Sequence, residues 1–225
     1  MILTIDMGNT NIVIGGIDEK QTYFEERITT IHSRTSTEYA LLIKDILDLH
    51  GIDKSQIEGS IVSSVVPPLN APIQSALKKI LGKRPLMVGS GMKTGLNIIM
   101  DNPKTVGSDQ IVDAVAALKE YPCPIIVIDM GTATTMSVID KNGNYIGGVI
   151  LPGLKVSLDS LSSNAAQLPF ISLEIPGKVI GKNTIDCMRS GILYGNAAQM
   201  DGIIDRMEEE LGETASVVAT GGLSR

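Results

Sequence analysis

Ile125-Ile126-Val127-Ile128-Asp129-Met130-Gly131-Thr132-Ala133-Thr134-Thr135 is the stretch whose reading decides the fold. Four apolar residues run into an aspartate, then a glycine and three hydroxyl residues. An apolar run this short, bounded by turn residues, reads as a buried strand. Pro124 and Gly131 are the boundaries. The strand delivers Asp129 to its C-terminal end, where open α/β sheets place their ligands. Gly131 lets a ligand approach the backbone, and Thr132, Thr134 and Thr135 offer hydroxyls to phosphate oxygens.

The chain opens on the same design. Ile2-Leu3-Thr4-Ile5-Asp6-Met7-Gly8-Asn9-Thr10-Asn11 is again strand, aspartate, glycine and polar loop, and Asp-Met-Gly recurs at an offset of 129 − 6 = 123 residues. After the first copy come Ile12 to Ile17, a turn at Asp18-Glu19-Lys20, then Tyr23-Phe24. After the second come Met136 to Ile139, a turn at Lys141-Asn142-Gly143, then Tyr145-Ile146. Asn-Gly between β-prone residues is a strong hairpin signal. Two copies with matching hairpins predict two related halves, each with a phosphate-facing loop.

Composition narrows the class. The 225 residues suffice for one large or two small domains. At 43% hydrophobic and 20% charged, the chain can bury a core. With no Trp and two Phe, that core must rest on aliphatic residues, Ala and Met. A formal charge of −6, without a Lys/Arg cluster, excludes a general nucleic-acid binder. No apolar run approaches the ~20 residues of a membrane span. Met1 leads straight into a strand, so no signal peptide is expected. Cys123 and Cys187 form no CxxC, which suits thiols in a reducing cytoplasm. Neither His32 nor His50 has a ligand partner nearby in sequence.

Between the two copies, Ser36-Thr37-Glu38 starts a helix that Gly51 ends, with Leu41, Leu42, Ile46, Leu47 and Leu49 as its apolar stripe. A strand is expected over 61–66, stopped by Pro67-Pro68. Asn70 should cap a helix reaching Leu81, with Gly82 as its stop. A short strand at 85–88 precedes the loop 89–95. That loop has neither P-loop spacing nor a following helix, since Leu96-Asn97-Ile98-Ile99 reads as a strand. Ser108 should cap a helix from Asp109 to Glu120, with Ile111, Val112, Val115, Ala116 and Leu118 on its apolar side. After the second hairpin come a helix near 155–165, an extended or loop segment over 169–182, and a long helix from Thr184 to Leu211. Gly191 and Gly195 share one face of that helix, permitting a close helix crossing. A last strand over 216–220 ends in Gly221-Gly222. A glycine pair there ordinarily leads into a helix, so a further segment is expected beyond Arg225.

Carboxylates repel phosphate, so Asp6 and Asp129 suit a phosphate cleft only if cations mediate. Backbone N–H groups and threonine hydroxyls would then take the phosphate oxygens, and Gly221-Gly222 would admit an adenosine closely. This is the anatomy of the acetate kinase, sugar kinase, Hsp70 and actin superfamily. It implies an α/β fold of two related RNase H-like halves, with mixed sheets flanked by helices and an ATP cleft between them. The halves are read as residues 1–118 and 119–225.

Over nearly its whole length the chain resembles type III pantothenate kinase. The resemblance rests on Asp6-Met7-Gly8-Asn9-Thr10-Asn11, Ser63-Ser64-Val65-Val66-Pro67-Pro68, Lys93-Thr94-Gly95-Leu96-Asn97-Ile98, Asp101-Asn102-Pro103 and Val106-Gly107-Ser108-Asp109. It continues through 129–135, 147–153, Gly181-Lys182-Asn183-Thr184, Ser190-Gly191, Tyr194-Gly195, Asp201-Gly202 and 219–223. Their order and spacing together make the match specific.

The resemblance implies ATP-dependent phosphorylation of pantothenate to 4′-phosphopantothenate, the first step of coenzyme A synthesis, by a cytoplasmic homodimer. Asp6, Met7, Gly8, Asn9, Thr10, Asn11, Ile12 and Val13 would bind the ATP phosphates, with Asp6 near Mg2+, directly or through water. Thr132 would contact ATP. Asp129 would hold a monovalent cation, K+ or NH4+. Asp109 would accept the proton of the pantothenate hydroxyl. Met100, Gly107, Ser108, Asp109, Gln110 and Thr184 would line the acceptor pocket, Thr184 reaching across the dimer interface. Two positions depart from the family pattern. Gln110 stands where the family has an arginine that holds the pantothenate carboxylate, and Met100 where it commonly has tyrosine. Two other readings stay open: a regulatory relative of the Bvg accessory factor type, and a kinase of this fold acting on another hydroxyl acceptor.

Overall fold

A strand that ends in an aspartate, flanked on one side by a hairpin and on the other by a parallel strand, is built twice. The computed structural model describes residues 1–89 and 91–224. Ser90 of the glycine-rich loop and Arg225 lie outside the described residues. The chain divides into two units, Met1–Thr94 with Asn102–Asp113, and Gly95–Asp101 with Ala114–Arg225.

In the first unit, β1 (Ile2–Met7) turns back as β2 (Asn11–Ile17) and β3 (Thr22–Thr29). After helix α1 (Ser36–Leu49), strand β4 (Gly59–Ser64) runs parallel to β1, pairing Asp6 with Ser63 and Met7 with Ser64. Helix α2 (Pro67–Leu81) and β5 (Leu86–Met87) complete a five-stranded sheet of order β3-β2-β1-β4-β5. Its core is aliphatic, as composition requires: Leu3, Ile5, Met7, Ile12, Ile14 and Val62 from the sheet pack with Tyr39, Ile43, Leu69, Ile73 and Leu77 from α1 and α2.

Three boundaries differ from the sequence expectation. The fourth strand runs over 59–64 because Val66 leaves the sheet to become the N-cap of α2. Pro67 and Pro68 therefore open a helix. The N–H groups of a first turn have no intrahelical partner, so proline loses nothing there. Asn70 lies inside that turn and is not the cap. In α1 the cap is Thr35, one half of a capping box with Glu38, and the buried stripe is Tyr39, Ile43, Ile46 and Leu47. Leu41 and Leu49 face outward. The aromatic Tyr39 fixes the phase of the helix, which a count of leucines misplaces.

The second unit repeats the plan. β7 (Ile125–Met130) is followed by the antiparallel β8 (Ala133–Ile139) and β9 (Asn144–Pro152), and on its other side β10 (Ser216–Thr220) pairs in parallel, setting Asp129 beside Thr220. The short β6 (Asn97–Ile98) joins the far edge of β9, giving the order β10-β7-β8-β9-β6. Helix α5 (Thr184–Leu211) lays Met200, Ile203, Ile204 and Met207 against Ile126, Ile128 and Met136. Its first half packs Met188 and Ile192 on Leu154 and Leu158 of α4 (Leu154–Asn164). Among the described residues no helix is long and apolar enough to cross a membrane.

Helix α3 (Ser108–Glu120) starts in the first unit and ends in the second. Its buried side is Ile111, Ala114 and Ala117, while Val112 is exposed. Two of those three buried residues are alanines, so bulk alone misassigns the face.

Candidate active site

Ser108 was expected to cap α3, but its hydroxyl is engaged elsewhere. It is the first residue of the helix, it is buried, and its Oγ accepts the Ser64 N–H at 2.9 Å and lies 3.2 Å from Ser63 Oγ. What Ser108 can offer a ligand is therefore its backbone. Gln110 takes over part of the cap: its Oε1 accepts the Gly107 N–H at 3.2 Å, the reciprocal half of a capping box. Asp109 Oδ1 accepts the Gln110 N–H at 2.8 Å. A Cβ on residue 107 would overlap that same oxygen, so glycine at this position allows Asp109 its conformation.

Asp6 belongs to the same cluster. The parallel register seats it beside Ser63, whose hydroxyl hydrogen-bonds the carboxylate. Part of Asp6 is open to solvent, yet its carboxyl group is crowded by protein. That burial pushes its pKa above the usual carboxylate value; the Ser63 hydrogen bond opposes the rise and the charge of Asp109 adds to it. A cation near both carboxylates would relieve the burial and the repulsion together. Among the described residues no three His, Cys, Asp or Glu side chains gather into a cage. An ion here would bind one or two carboxylates and complete its shell with water and phosphate oxygens, which is the habit of Mg2+.

The loop after Asp6 is held from behind. Gly8 N–H donates to Asn11 O at 2.9 Å, and Thr30, just beyond β3, donates its N–H to Thr10 O at 2.9 Å and its hydroxyl to Gly8 O at 2.7 Å. Two carbonyls are thus bonded to a buried residue, away from any anion. Asn9 and Thr10 are exposed, whereas the side chains of Met7 and Ile12 are core, and those two can serve a ligand only through their backbone.

The second unit repeats this restraint. Gly131 N–H donates to Ala133 O at 3.0 Å, and Gly153, after β9, donates to Thr132 O at 3.2 Å. Thr132 is exposed. Thr134 is 1% exposed, which corrects the expectation that its hydroxyl faces phosphate: the alternation of β8 turns it inward. Gly221 has φ +94° and lies against Asp129; a Cβ there would overlap Asp129 Oδ1 and stand 2.6 Å from Met130 N. Gly222, Met100 and Thr184 are exposed.

The first unit thus brings together Asp6, the 8–11 loop, Gly107, Asp109 and Gln110. The second brings together Asp129, Gly131, Thr132 and Gly221. Sequence reading assigned no site role to Ser63, Thr30 or Gly153. One signal was available for Ser63: two adjacent serines ending a buried strand need hydrogen-bond partners.

Comparison with known proteins points one way. The family model described as type III pantothenate kinase matches residues 2–206. A type III pantothenate kinase of an Exiguobacterium species is 48% identical over all 225 residues and 88% of its own length. That of Bacillus cytotoxicus is 45% identical over the whole chain and 86% of its own length. Among solved structures, a Campylobacter jejuni protein assigned to the Baf family of transcriptional activators superposes with a TM-score of 0.57 at 18% identity, covering 98% of this chain and 83% of that one. Component A of the (R)-2-hydroxyglutaryl-CoA dehydratase of Acidaminococcus fermentans gives 0.54 at 16% identity, covering 99% and 83%. At such identities the structural neighbours establish the fold alone.

Proposed function

The chain belongs to the type III pantothenate kinase family, ATP-dependent kinases of pantothenate at the start of coenzyme A synthesis, and on that premise we propose that Asp109 is the base that accepts the proton of the pantothenate 4′-hydroxyl. The alcohol oxygen then bonds the γ-phosphorus of ATP as the bond to the ADP oxygen breaks, giving 4′-phosphopantothenate, ADP and a proton. Such transfers pass through a loose transition state, so positioning and charge compensation outweigh the strength of the base. The observation that carries this reading is the cluster of Asp6, Ser63, Ser108 and Asp109 at the adjoining ends of β1, β4 and α3. Asp109 stands in the first turn of a helix, whose dipole favours a carboxylate.

The remaining roles follow the same premise. The loop 6–13 binds ATP phosphates through its backbone and the Asn9 and Thr10 side chains. Asp6 holds Mg2+, directly or through water, and the ion would supply charge neutralisation of the phosphates. Asp129 holds a monovalent cation, K+ or NH4+, and Thr132, Gly221 and Gly222 contact the nucleotide. Gly107, Ser108 through its backbone, Gln110, Met100 and Thr184 line the acceptor pocket. The chain works as a cytoplasmic homodimer. In support of the dimer, Phe170, Ile175, Ile180 and Tyr194 are exposed, and nothing lies within 4 Å of a Cβ placed on Gly191 or Gly195. The two related halves are read as 1–118 and 119–225.

Pantothenate-dependent ADP formation, with Mg2+ and with or without K+, tests the reading. Potassium-stimulated turnover supports it and shows that Gln110 and Met100 are tolerated. Bound ATP without turnover at high pantothenate would shift the assignment to another hydroxyl acceptor.

A further inference from the structure

Two buried serines link the carboxylates of this site. The Ser108 oxygen accepts the Ser64 N–H at 2.9 Å, which ties the first turn of α3 to the end of β4. The same oxygen lies 3.2 Å from Ser63 Oγ, and Ser63 is paired in register with Asp6 and hydrogen-bonds it. Both serines are more than nine-tenths buried, Ser63 at 6% and Ser108 at 7% exposure. A hydroxyl has one proton to give. The Ser63 proton is therefore shared between the Ser108 oxygen and the Asp6 carboxylate. Ser108 Oγ thus accepts from both the Ser64 N–H and the Ser63 hydroxyl. Two hydrogen bonds that converge on Ser108 therefore fix a helix start against the end of the strand paired with β1.

We propose that Ser63 and Ser108 are positioning residues, a buried hydroxyl pair that sets Asp109 on α3 relative to Asp6 on β1. Neither serine touches substrate through its side chain. Their effect is on the placement of two like charges that must share a cation and a transferring phosphoryl group. A positioning pair acts on turnover, whereas a pocket-lining residue acts on substrate affinity. A misplacement of about 1 Å can cost on the order of a hundredfold in rate. This inference rests on the assignment of Asp109 and Asp6 above.

The test is steady-state kinetics of pantothenate-dependent ADP formation by the full chain. Ser63→Ala and Ser108→Ala should each lower kcat by about tenfold or more, with both KM values moving less than about threefold. The double variant should fall no further than the worse single one, because residues acting as one unit are not additive. Ser108→Thr, which keeps the hydroxyl, should recover most of the rate. Ser63→Ala leaves the Ser64–Ser108 bond in place, so it carries the test alone if Ser108→Ala does not fold. Wild-type kcat in Ser63→Ala, or a loss expressed in KM for pantothenate, overturns the proposal. Asp109→Asn separates the two readings. If it is inactive while the serine variants run at full rate, only the positioning pair fails. If it retains full activity, the base assignment fails.

Discussion

Gln110 has two claims on its side chain. Its oxygen accepts the Gly107 N–H and so helps start α3, while in the proposed acceptor pocket its amide nitrogen would be the group left to meet an acceptor on the substrate. Arginine at this position would supply a charged donor for a carboxylate but no acceptor for Gly107. Gln110→Arg should therefore lower KM for pantothenate by about tenfold, the worth of one charge-assisted hydrogen bond. It should also lower the unfolding midpoint by about 3 °C, as the cap is lost. Kinetics and thermal denaturation of the same sample check both, and an unchanged KM would sink this account of the pocket. Gly221 is constrained more tightly. Its φ of +94° already disfavours other residues, and any Cβ meets Asp129 and the Met130 backbone. Gly221→Ala should destabilise by about 1–3 kcal/mol and blunt the response to K+. Denaturant unfolding and a potassium titration would show it; a stable variant with normal potassium response would mean the Asp129 loop is not held this way.

At the scale of elements, the two hairpins are closed by the same chemistry. Asp18 accepts hydrogen bonds from Lys20 N–H, Gln21 N–H and the Tyr23 hydroxyl, and Asp140 from Asn142 N–H, Asn144 N–H and Asn144 Nδ2. At Asp140 the network goes one step further. Asn97 Nδ2 donates to Asn144 Oδ1 at 2.7 Å, which fastens β6 to the start of β9. The turn carboxylate thus holds a strand that arrives from well upstream in sequence and leads into Met100. Asp140→Ala should lower the unfolding midpoint by about 3 °C and speed amide exchange at Ile99, whose N–H donates to Tyr145 O. Hydrogen exchange with protection at Ile99 unchanged would show that β6 does not depend on this turn.

Over the whole molecule these carboxylates set the pH response. Hydrogen bonds from Tyr23, Lys20 and Gln21 hold Asp18 below its usual pKa, those from Thr35 do so for Glu38, and at Asp140 burial acts upward but the hydrogen bonds from Asn144 and Asn142 outweigh it. A carboxylate with a lowered native pKa adds stability above its unfolded value, and that stability disappears as pH falls through the native one. Asp6 has the opposite sign. Its native pKa is raised from 3.8, chiefly by burial, so its contribution is complete below that value and is lost as pH rises through the native one. Neutral pH without a cation is thus where Asp6 strains the fold. Asp6→Asn should unfold at a higher temperature than the wild type near pH 7, with the gap closing toward pH 4, while kinase activity is lost. Melting curves across pH without Mg2+ check this, and a gap that widened on acidification would overturn it.

The sequence by itself determined the duplicated strand–aspartate–hairpin plan, nearly every element, and the places of Asp6 and Asp129 near strand ends and of Asp109 in the first turn of a helix. These are local properties: hydrophobic period, turn residues and a motif repeated 123 residues apart are written along the chain. Tertiary structure decided which side of α1 and α3 is buried, that Pro67 opens a helix, that β6 joins the second sheet, and that Thr134 faces inward. It also decided that Ser63 and Ser108, 45 residues apart, share a hydrogen bond that ties the helix carrying Asp109 to the strand paired with β1. The reason is that a parallel register and a helix phase are fixed by packing against partners distant in sequence. A hydroxyl's role depends on which buried group it must satisfy, and no local pattern encodes that.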